Sequence, residues 1–371
     1  MDRLLYWFGR LLATKDDLVN DDSESSVRLW ARRLTVTSFI AYLLILIILT
    51  LWIKARMDQS IWATVLGYLP PGGWLLPLVL LIPLAAIWAK KWLLAVPCCI
   101  LWVSLIYISP SIGSSRESTK SEEPISVLTL NVGADLNTSP DAYALRCQPD
   151  ILLLQECGVG KIELASTFPD HFLVRDGEYA VLAKWSPDEV DLVTSEGYEI
   201  ALRCKIALPD TPIVVYSVHM PTRQSIFHEL SGGGPVALLK NWFRTGIFDP
   251  DIRAEGMKDL AARERLLNHL MNRISQESVP VIIAGDFNMT DFGKQYEQVS
   301  AEITDTFAAA GRGYGHTVPG KSTHLFALYQ PWLRLDYVWV SEHWLVHHAE
   351  SEPERQSQHR AVFSKLTLVE P

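Results

Sequence analysis

Apolar positions along this chain follow two regimes, and the change between them divides it. From Leu34 to Ile53 the chain runs for 20 residues without a charge. At about 1.5 Å per residue, that length crosses the roughly 30 Å hydrocarbon core of a bilayer. A second apolar run, from Ile61 to Ala89, is broken at Pro70-Pro71-Gly72-Gly73, and its later part, from Trp74, carries Pro77 and Pro83. A third run, Trp92 to Ile108, follows Lys90 and Lys91. Trp62, Trp74, Trp88, Trp92 and Tyr107 fall near run ends, as interfacial aromatics do. The first run is too long, and too far from Met1, to be a cleavable signal peptide. The pattern predicts a membrane region over residues 34–109 with three helices.

Beyond Pro124 the period changes. Ile125 to Leu130 alternates and is β-branched, which predicts a strand. Asp141 to Cys147 reads as a short helix, and Asp150 to Leu154 as a buried strand. Further strands are expected at Ala180–Ala183, Glu199–Ile206, Ile213–Val218, Val279–Ala284, Arg334–Val340 and Ala361–Leu368. Ile252 to Ile274 has helical spacing, with Leu260, Leu266, Leu267 and Leu270 on one face. Several neighbouring strands have no helix between them. The expectation is an α/β sandwich of two mixed sheets packed face to face, with helices outside. Residues 125–371 would form this domain, and residues 110–124, rich in Ser, Glu and Lys, would be a linker.

Charge adds orientation. Arg28, Arg32, Arg33, Lys90 and Lys91 share one side if three runs span, and that side is cytoplasmic by the positive-inside rule. The C-terminal domain then lies outside the cytoplasm of a multi-pass cell-membrane protein; two spans would reverse it. Lys54 and Arg56 oppose the first arrangement. Residues 1–33 would be a cytoplasmic tail, with Leu4, Leu5, Trp7, Phe8, Leu11 and Leu12 spaced for an interfacial helix. From Pro124 onward there are 21 Lys and Arg against 32 Asp and Glu, a net of −11. Such a domain repels polyanions at long range, which weighs against tight non-specific nucleic-acid binding. Cys98 and Cys99 sit in an apolar run. Cys147, Cys157 and Cys204 form no zinc-like pattern, and a Cys147–Cys157 disulfide stays open.

Polar residues recur where the buried strands end: Asn131, Gln155-Glu156, His219, Asp286 and Asn288 in Gly-Asp-Phe-Asn, Asp336, and His359. Each has an ordinary reading: a solvated strand end, an Asx-turn, a core histidine. Asp336 in an apolar strand is harder to dismiss, because a buried carboxylate needs a partner and His359 would serve. Converging strand ends of this kind could hold a hard cation and a phosphate.

The ordered set resembles the endonuclease/exonuclease/phosphatase superfamily, the DNase I-like fold, over Ile125 to Leu368. The segments that carry the resemblance are Leu-Asn-Val at 130–132, Leu-Gln-Glu at 154–156, Ser-Val-His at 217–219, Gly-Asp-Phe-Asn at 285–288, Arg-Leu-Asp-Tyr-Val at 334–338 and Ser-Gln-His at 357–359. Thr-Val-Pro at 317–319 resembles the Thr-Trp-Pro of a membrane-anchored bacterial branch. The resemblance implies a four-layer sandwich and a Mg²⁺-dependent phosphoesterase, with Mn²⁺ as an alternative. It implies Glu156 as principal metal ligand with Asn131 beside it. Asp286 would deprotonate the attacking water and Asn288 would hold that water or a phosphate oxygen. His359, paired with Asp336, and His219 would contact the phosphate. Two departures stand out: Gln358 replaces the usual Asp, and Gly133 stands where some members carry an acid. The stretch from Thr222 to Asp251 is unusually long; it reads first as a packed surface excursion, with a wall over the site or a membrane-dipping loop as alternatives. Two further functions fit the residues: an extracytoplasmic nuclease, or a catalytically impaired protein that binds a phosphate ligand. The expected partners are the bilayer and a phosphate-ester substrate, lipid or nucleic acid.

Overall fold

The computed structural model describes residues 26–108, 110–114, 124–133, 141–157, 164–209, 211–222, 250–321, 328, 330–355 and 358–369. The chain forms two compact units. One ends at Leu49 and resumes over Trp74–Trp102; the other comprises Thr50–Gly73 and Val103 onward.

The first unit is helical. Helix α1 (Ser26–Arg56) starts ahead of the uncharged run, because Arg28, Arg32 and Arg33 are good helix formers and do not stop it. After α2 (Ile61–Gly67), which belongs to the second unit, come α3 (Leu76–Trp88) and α4 (Ala95–Val103). The Tyr42 hydroxyl donates to the Trp74 carbonyl at 3.0 Å. Three helical stretches, Ser26–Arg56, Pro71–Trp88 and Lys90–Ile108, are long and apolar enough to cross a membrane. Ile45, Ile48, Val79, Leu80 and Leu94 point outward, as side chains facing lipid would.

In the second unit the strands are, in chain order, β1 (Ser111–Ile112), β2 (Ile125–Asn131), β3 (Ile151–Gln155), β4 (Phe172–Asp176), β5 (Tyr179–Ala183), β6 (Pro187–Ser195), β7 (Tyr198–Ala207), β8 (Pro212–His219), β9 (Val281–Asp286), β10 (Thr304–Asp305), β11 (Arg312–Gly313), β12 (Asp336–Val340), β13 (Trp344–Ser351) and β14 (Val362–Leu368). One sheet has the order β13-β14-β2-β3-β5-β4 and the other β10-β12-β9-β8-β7-β6. Both are mixed in the same way: β2 and β3 are parallel in the first, β8 and β9 in the second, and every other pairing is antiparallel.

Alternation along the strands makes the layers. Val127, Ile151, Leu153 and Val181 from the first sheet meet Leu202, Val215, Ile282 and Val338 from the second in one core between them. The intervening residues face outward and are covered. Leu128, Leu130, Leu152 and Leu154 pack with Tyr143 and Ala144 of α5 (Asp141–Cys147), and Phe168, just after α6 (Leu164–Thr167), joins them. Val214, Tyr216, Val281 and Ile283 pack under α7 (Pro250–Ile274) through Leu266, Leu267, Leu270 and Met271, and with Val299 of α8 (Lys294–Ser300). Helix, sheet, sheet, helix is the four-layer α/β sandwich expected from the sequence.

Besides the two-residue strands β1, β10 and β11, three strands escape the periodicity: β4, β6 and β13. All lie at sheet edges, where one side of the ladder is open and charged residues such as Asp188, Glu189 and Asp191 protect it. The expected linker begins with structure, since Ser111 pairs with Gly313 and the Gly113 amide donates to Gly311. All five cysteines are free thiols. Of the long excursion after Thr222, residues 223–249 lie outside the described residues.

Candidate active site

Register brings the polar strand ends together. In the parallel pair of the first sheet, Asn131 lies beside Gln155. In that of the second, His219 lies beside Asp286, and antiparallel β12 sets Asp336 opposite Asp286. Alternation aims these side chains inward, following Val127 and Thr129 on β2 and Ile282 and Ala284 on β9. The space between the sheets therefore grades from apolar to polar toward one end. The middle layer is Thr129, Gln155 and Ser217, all fully buried. Gln155 Nε2 donates to Thr129 Oγ1 at 3.2 Å and to Ser217 Oγ at 2.9 Å, so each has the partner a buried polar group needs.

Three backbone exceptions shape the last layer. By alternation Glu156 would turn outward, but its φ of +53° redirects the side chain to the site, where Oε1 accepts from Asn131 Nδ2 at 3.0 Å. Gly285 has φ +148°, and a Cβ there would fall 1.9 Å from the Val218 carbonyl oxygen. Only glycine permits that close approach of β9 to β8 beneath Asp286. Asn288 sits at φ +48°, a region uncommon for side-chain-bearing residues.

Asp286 is the centre of the arrangement. Its Oδ1 accepts from the Asn288 amide at 2.9 Å; its Oδ2 accepts from Asn131 Nδ2 at 3.0 Å and from Asn288 Nδ2 at 3.2 Å. Two imidazoles address the same oxygen. His359 Nε2 is 3.6 Å away and His219 Nε2 is 3.8 Å away. Each is held from behind by an acid: His359 Nδ1 lies 2.9 Å from Asp336 Oδ2, and His219 Nδ1 lies 2.6 Å from Glu178 Oε1. Burial alone would strip the proton from His359, but the Asp336 and Asp286 carboxylates outweigh it and push its pKa up to about 9. His219 is also raised: burial opposes the charge, while Glu178, Asp286 and Glu156 favour it. The His359 ring is thus poised as a cationic donor at neutral pH, and His219 is shifted in the same direction.

The seven residues singled out from the sequence, Asn131, Glu156, His219, Asp286, Asn288, Asp336 and His359, all lie in this one cluster of strand ends and the adjoining turns. Asn131 turns its nitrogen to Glu156 and Asp286, while its oxygen accepts from the Gly133 amide at 2.9 Å. Gly133, at φ +70°, supplies a backbone donor where an acid was a possible substitute. Gln358 is exposed, and its carbonyl accepts from the Gly320 amide at 2.7 Å. Ser357 lies outside the described residues. Thr317 is fully buried; its hydroxyl accepts from the Leu335 and Asp336 amides, and its carbonyl accepts from the Arg360 amide at 2.9 Å. It thereby ties the start of β12 to the residue after His359.

Two contributors were not read from the sequence. Glu178 sits in the two-residue turn between β4 and β5, where an acid carries no signal. Arg263 is buried and donates to the carbonyls of Phe287 at 3.0 Å and Asn288 at 3.1 Å, and also to that of Pro221. Its signal was present: Arg263 falls on the apolar stripe of α7 with Leu260, Leu267 and Leu270.

The donor set is oxygen-rich. Asp286, Asp336 and His359 offer ligand atoms within 4.8 Å of one another, and Glu156 stands beside them with no thiolate among these side chains. Carboxylate and amide oxygens suit a hard divalent cation such as Mg²⁺ or Mn²⁺ better than zinc.

Among solved structures, the chain is similar to an endonuclease/exonuclease/phosphatase family protein from Bacteroides thetaiotaomicron, at 15% identity over 67% of this chain and 100% of that one, with a TM-score of 0.46. It is similar to the 3′ phosphatase NExo from Neisseria bound to product DNA hairpin, at 14% identity over 66% and 99%, TM-score 0.45. It is also similar to the mannosyl-6-phosphatase Bt3783 of Bacteroides thetaiotaomicron, at 13% identity over 66% and 100%, TM-score 0.44. No curated protein matches the chain. The model of the Endonuclease/Exonuclease/phosphatase family matches residues 128–359, from β2 to His359, and the chain belongs to that family.

Proposed function

We propose that the protein is a membrane-anchored, Mg²⁺-dependent phosphoesterase that hydrolyses a phosphodiester or phosphomonoester by attack of water, with Mn²⁺ as an accepted substitute. The observation that carries this reading is the symmetric pair of acid-backed imidazoles, Asp336–His359 and Glu178–His219, both directed at Asp286.

Asp286 is the general base: it takes the proton of the attacking water, which it aligns together with the Asn288 amide. His359, charged at neutral pH, and His219, whose charged form is favoured by the acids around it, donate to the phosphate oxygens as negative charge grows on them. Asp336 and Glu178 fix the two rings by accepting from their Nδ1–H groups, and their negative charge favours a second proton on Nε2. Glu156 would hold the cation, with Asn131, its amide turned over, offering an oxygen beside it. A divalent ion so bound would supply Lewis-acid polarisation of a phosphate oxygen.

The three apolar helices support anchoring across several spans, and the basic residues flanking the first and third support a catalytic domain outside the cytoplasm. The net of −11 from Pro124 onward favours a small or lipid-borne phosphate ester over a nucleic acid. Gln358, in place of the usual Asp, is the residue that would favour a catalytically impaired binding protein. That residue is exposed, and the His359–Asp336 pair is intact beside it, so the substitution leaves the imidazole machinery in place.

The test is hydrolysis by the purified full chain of a nitrophenyl phosphodiester, a nitrophenyl phosphomonoester, a phospholipid, and single- and double-stranded DNA. Each is assayed with Mg²⁺ and with chelator. Turnover that needs Mg²⁺ and disappears in Asp286→Ala supports the reading. Metal-independent turnover, or none from a folded, Mg²⁺-saturated chain, would refute it.

A further inference from the structure

We propose that residues 57–68, which follow the first apolar helix in the chain, form the floor of the active site, and that Tyr68 is a positioning residue for Asn288. The inference rests on the phosphoesterase reading for its kinetic consequence but not for its geometry. These residues lie outside the 128–359 matched to the family.

Asn288 has an unusual task. Its amide nitrogen and side chain both bind Asp286, and it holds left-handed backbone angles to do so. Asparagine enters that conformation more readily than other side-chain-bearing residues, and its surroundings here hold it there. Part of that hold comes from two donors on its carbonyl: Tyr68 Oη at 2.9 Å and Arg263 Nη2 at 3.1 Å. Tyr68 is itself fixed, because its own carbonyl accepts from Trp332 Nε1 at 3.0 Å.

The rest of the segment is built around that contact. Ile61 and Val65 of α2 pack on Leu260 of α7, one helical turn before Arg263, so α7 seats one donor and delivers the other. Gly67 leaves no room for a side chain: a Cβ would lie 2.7 Å from Met57 Sδ and 3.2 Å from Phe292 Cε2. Thr290 Oγ1 donates to Met57 Sδ at 3.5 Å, and Asp58 Oδ2 accepts from the Gln295 amide at 3.1 Å. The segment thus touches the catalytic turn at Asn288 and Thr290 and again at the first turn of α8. Among the described residues, removing the Tyr68 hydroxyl leaves Arg263 as the remaining donor to the Asn288 carbonyl and lets the turn relax. Asp286 then loses its alignment, while the imidazoles that grip phosphate are untouched.

The experiment uses the full chain in detergent. Tyr68→Phe, Asn288→Ala and the double variant are compared for kcat and KM on a nitrophenyl phosphodiester, and for thermal unfolding. Tyr68→Phe is expected to lower kcat about three- to tenfold, with KM within about twofold and the unfolding midpoint unchanged. In the Asn288→Ala background, which keeps the carbonyl and the backbone amide of the turn but loses the side-chain bond to Asp286, the same change should cost less, because the part of its effect that passes through the Asn288 side chain is already gone. An unchanged kcat, or an equal loss in both backgrounds, overturns the proposal. Hydrogen exchange supplies a readout independent of turnover: Tyr68→Phe should speed exchange of the amides at 286–290 about tenfold while those of β8 keep their protection. If the native chain hydrolyses nothing, the phosphoesterase reading fails by itself, and unchanged exchange at 286–290 would separately sink the role of Tyr68.

Discussion

The two sheets repeat one strand pattern, yet their ends carry carboxylates in opposite surroundings. At the end of the first sheet, the Glu156 side chain is 33% exposed. At the end of the second, those of Asp286 and Asp336 are 1% and 0% exposed. Under the proposed function the same topology serves two uses. A carboxylate near water can exchange a hydrated cation, since Mg²⁺ keeps several waters and dehydrates reluctantly. A buried carboxylate interacts strongly with the imidazole beside it, because little solvent screens the pair. The difference between the halves is set less by residue type than by depth, and depth follows from where each strand stops.

The comparison predicts that changes in the buried half are the more severe. Asp286→Ala and His359→Ala should each lower kcat about 10²- to 10³-fold, measured at saturating Mg²⁺ so that metal affinity does not contribute. In the exposed half, Glu156→Gln should weaken Mg²⁺ activation about 10- to 100-fold, read as a rightward shift of the activation curve with substantial recovery in excess metal. A loss that no amount of Mg²⁺ repairs would erase the distinction between the halves. Glu178→Gln tests the second acid-backed imidazole, and removal of one charged hydrogen bond should cost about tenfold in kcat. The smallest effect near neutrality is that of pH. His359 has a raised pKa, so its charged form is complete well below about 9 and is lost as pH rises through that value. Activity should therefore fall with a basic limb near pH 9, and His359→Gln should remove that limb from the residual rate.

Much of the buried half was legible in the sequence. Asp286, Asp336 and His359 stand beside strongly apolar strands, where a polar residue is conspicuous and the strand period says which way it points. Glu156 was legible through its neighbours but not through its geometry, since alternation alone would have faced it outward. Glu178 was not legible, because a glutamate in a tight turn is ordinary until the partner ring is seen. Edge strands such as β6 and β13 were lost for a related reason: the charges that guard an open edge also blur the apolar period. Tyr68 lay further out of reach. Nothing local relates it to Asn288, and it falls in a stretch whose apolar character points to a membrane instead.

The Tyr68–Asn288 hydrogen bond joins positions 220 residues apart. At a synthesis rate of about 5–20 residues per second, Tyr68 emerges some ten to forty seconds before the turn it braces. During that interval Met57, Ile61 and Val65 have no core to enter, for the strands and helices that will cover them have not been made. A nascent chain with such exposed apolar surface is a natural client for a chaperone or an insertion factor. The turn at Asn288 is then completed late, by the return of a later part of the protein to one of its oldest.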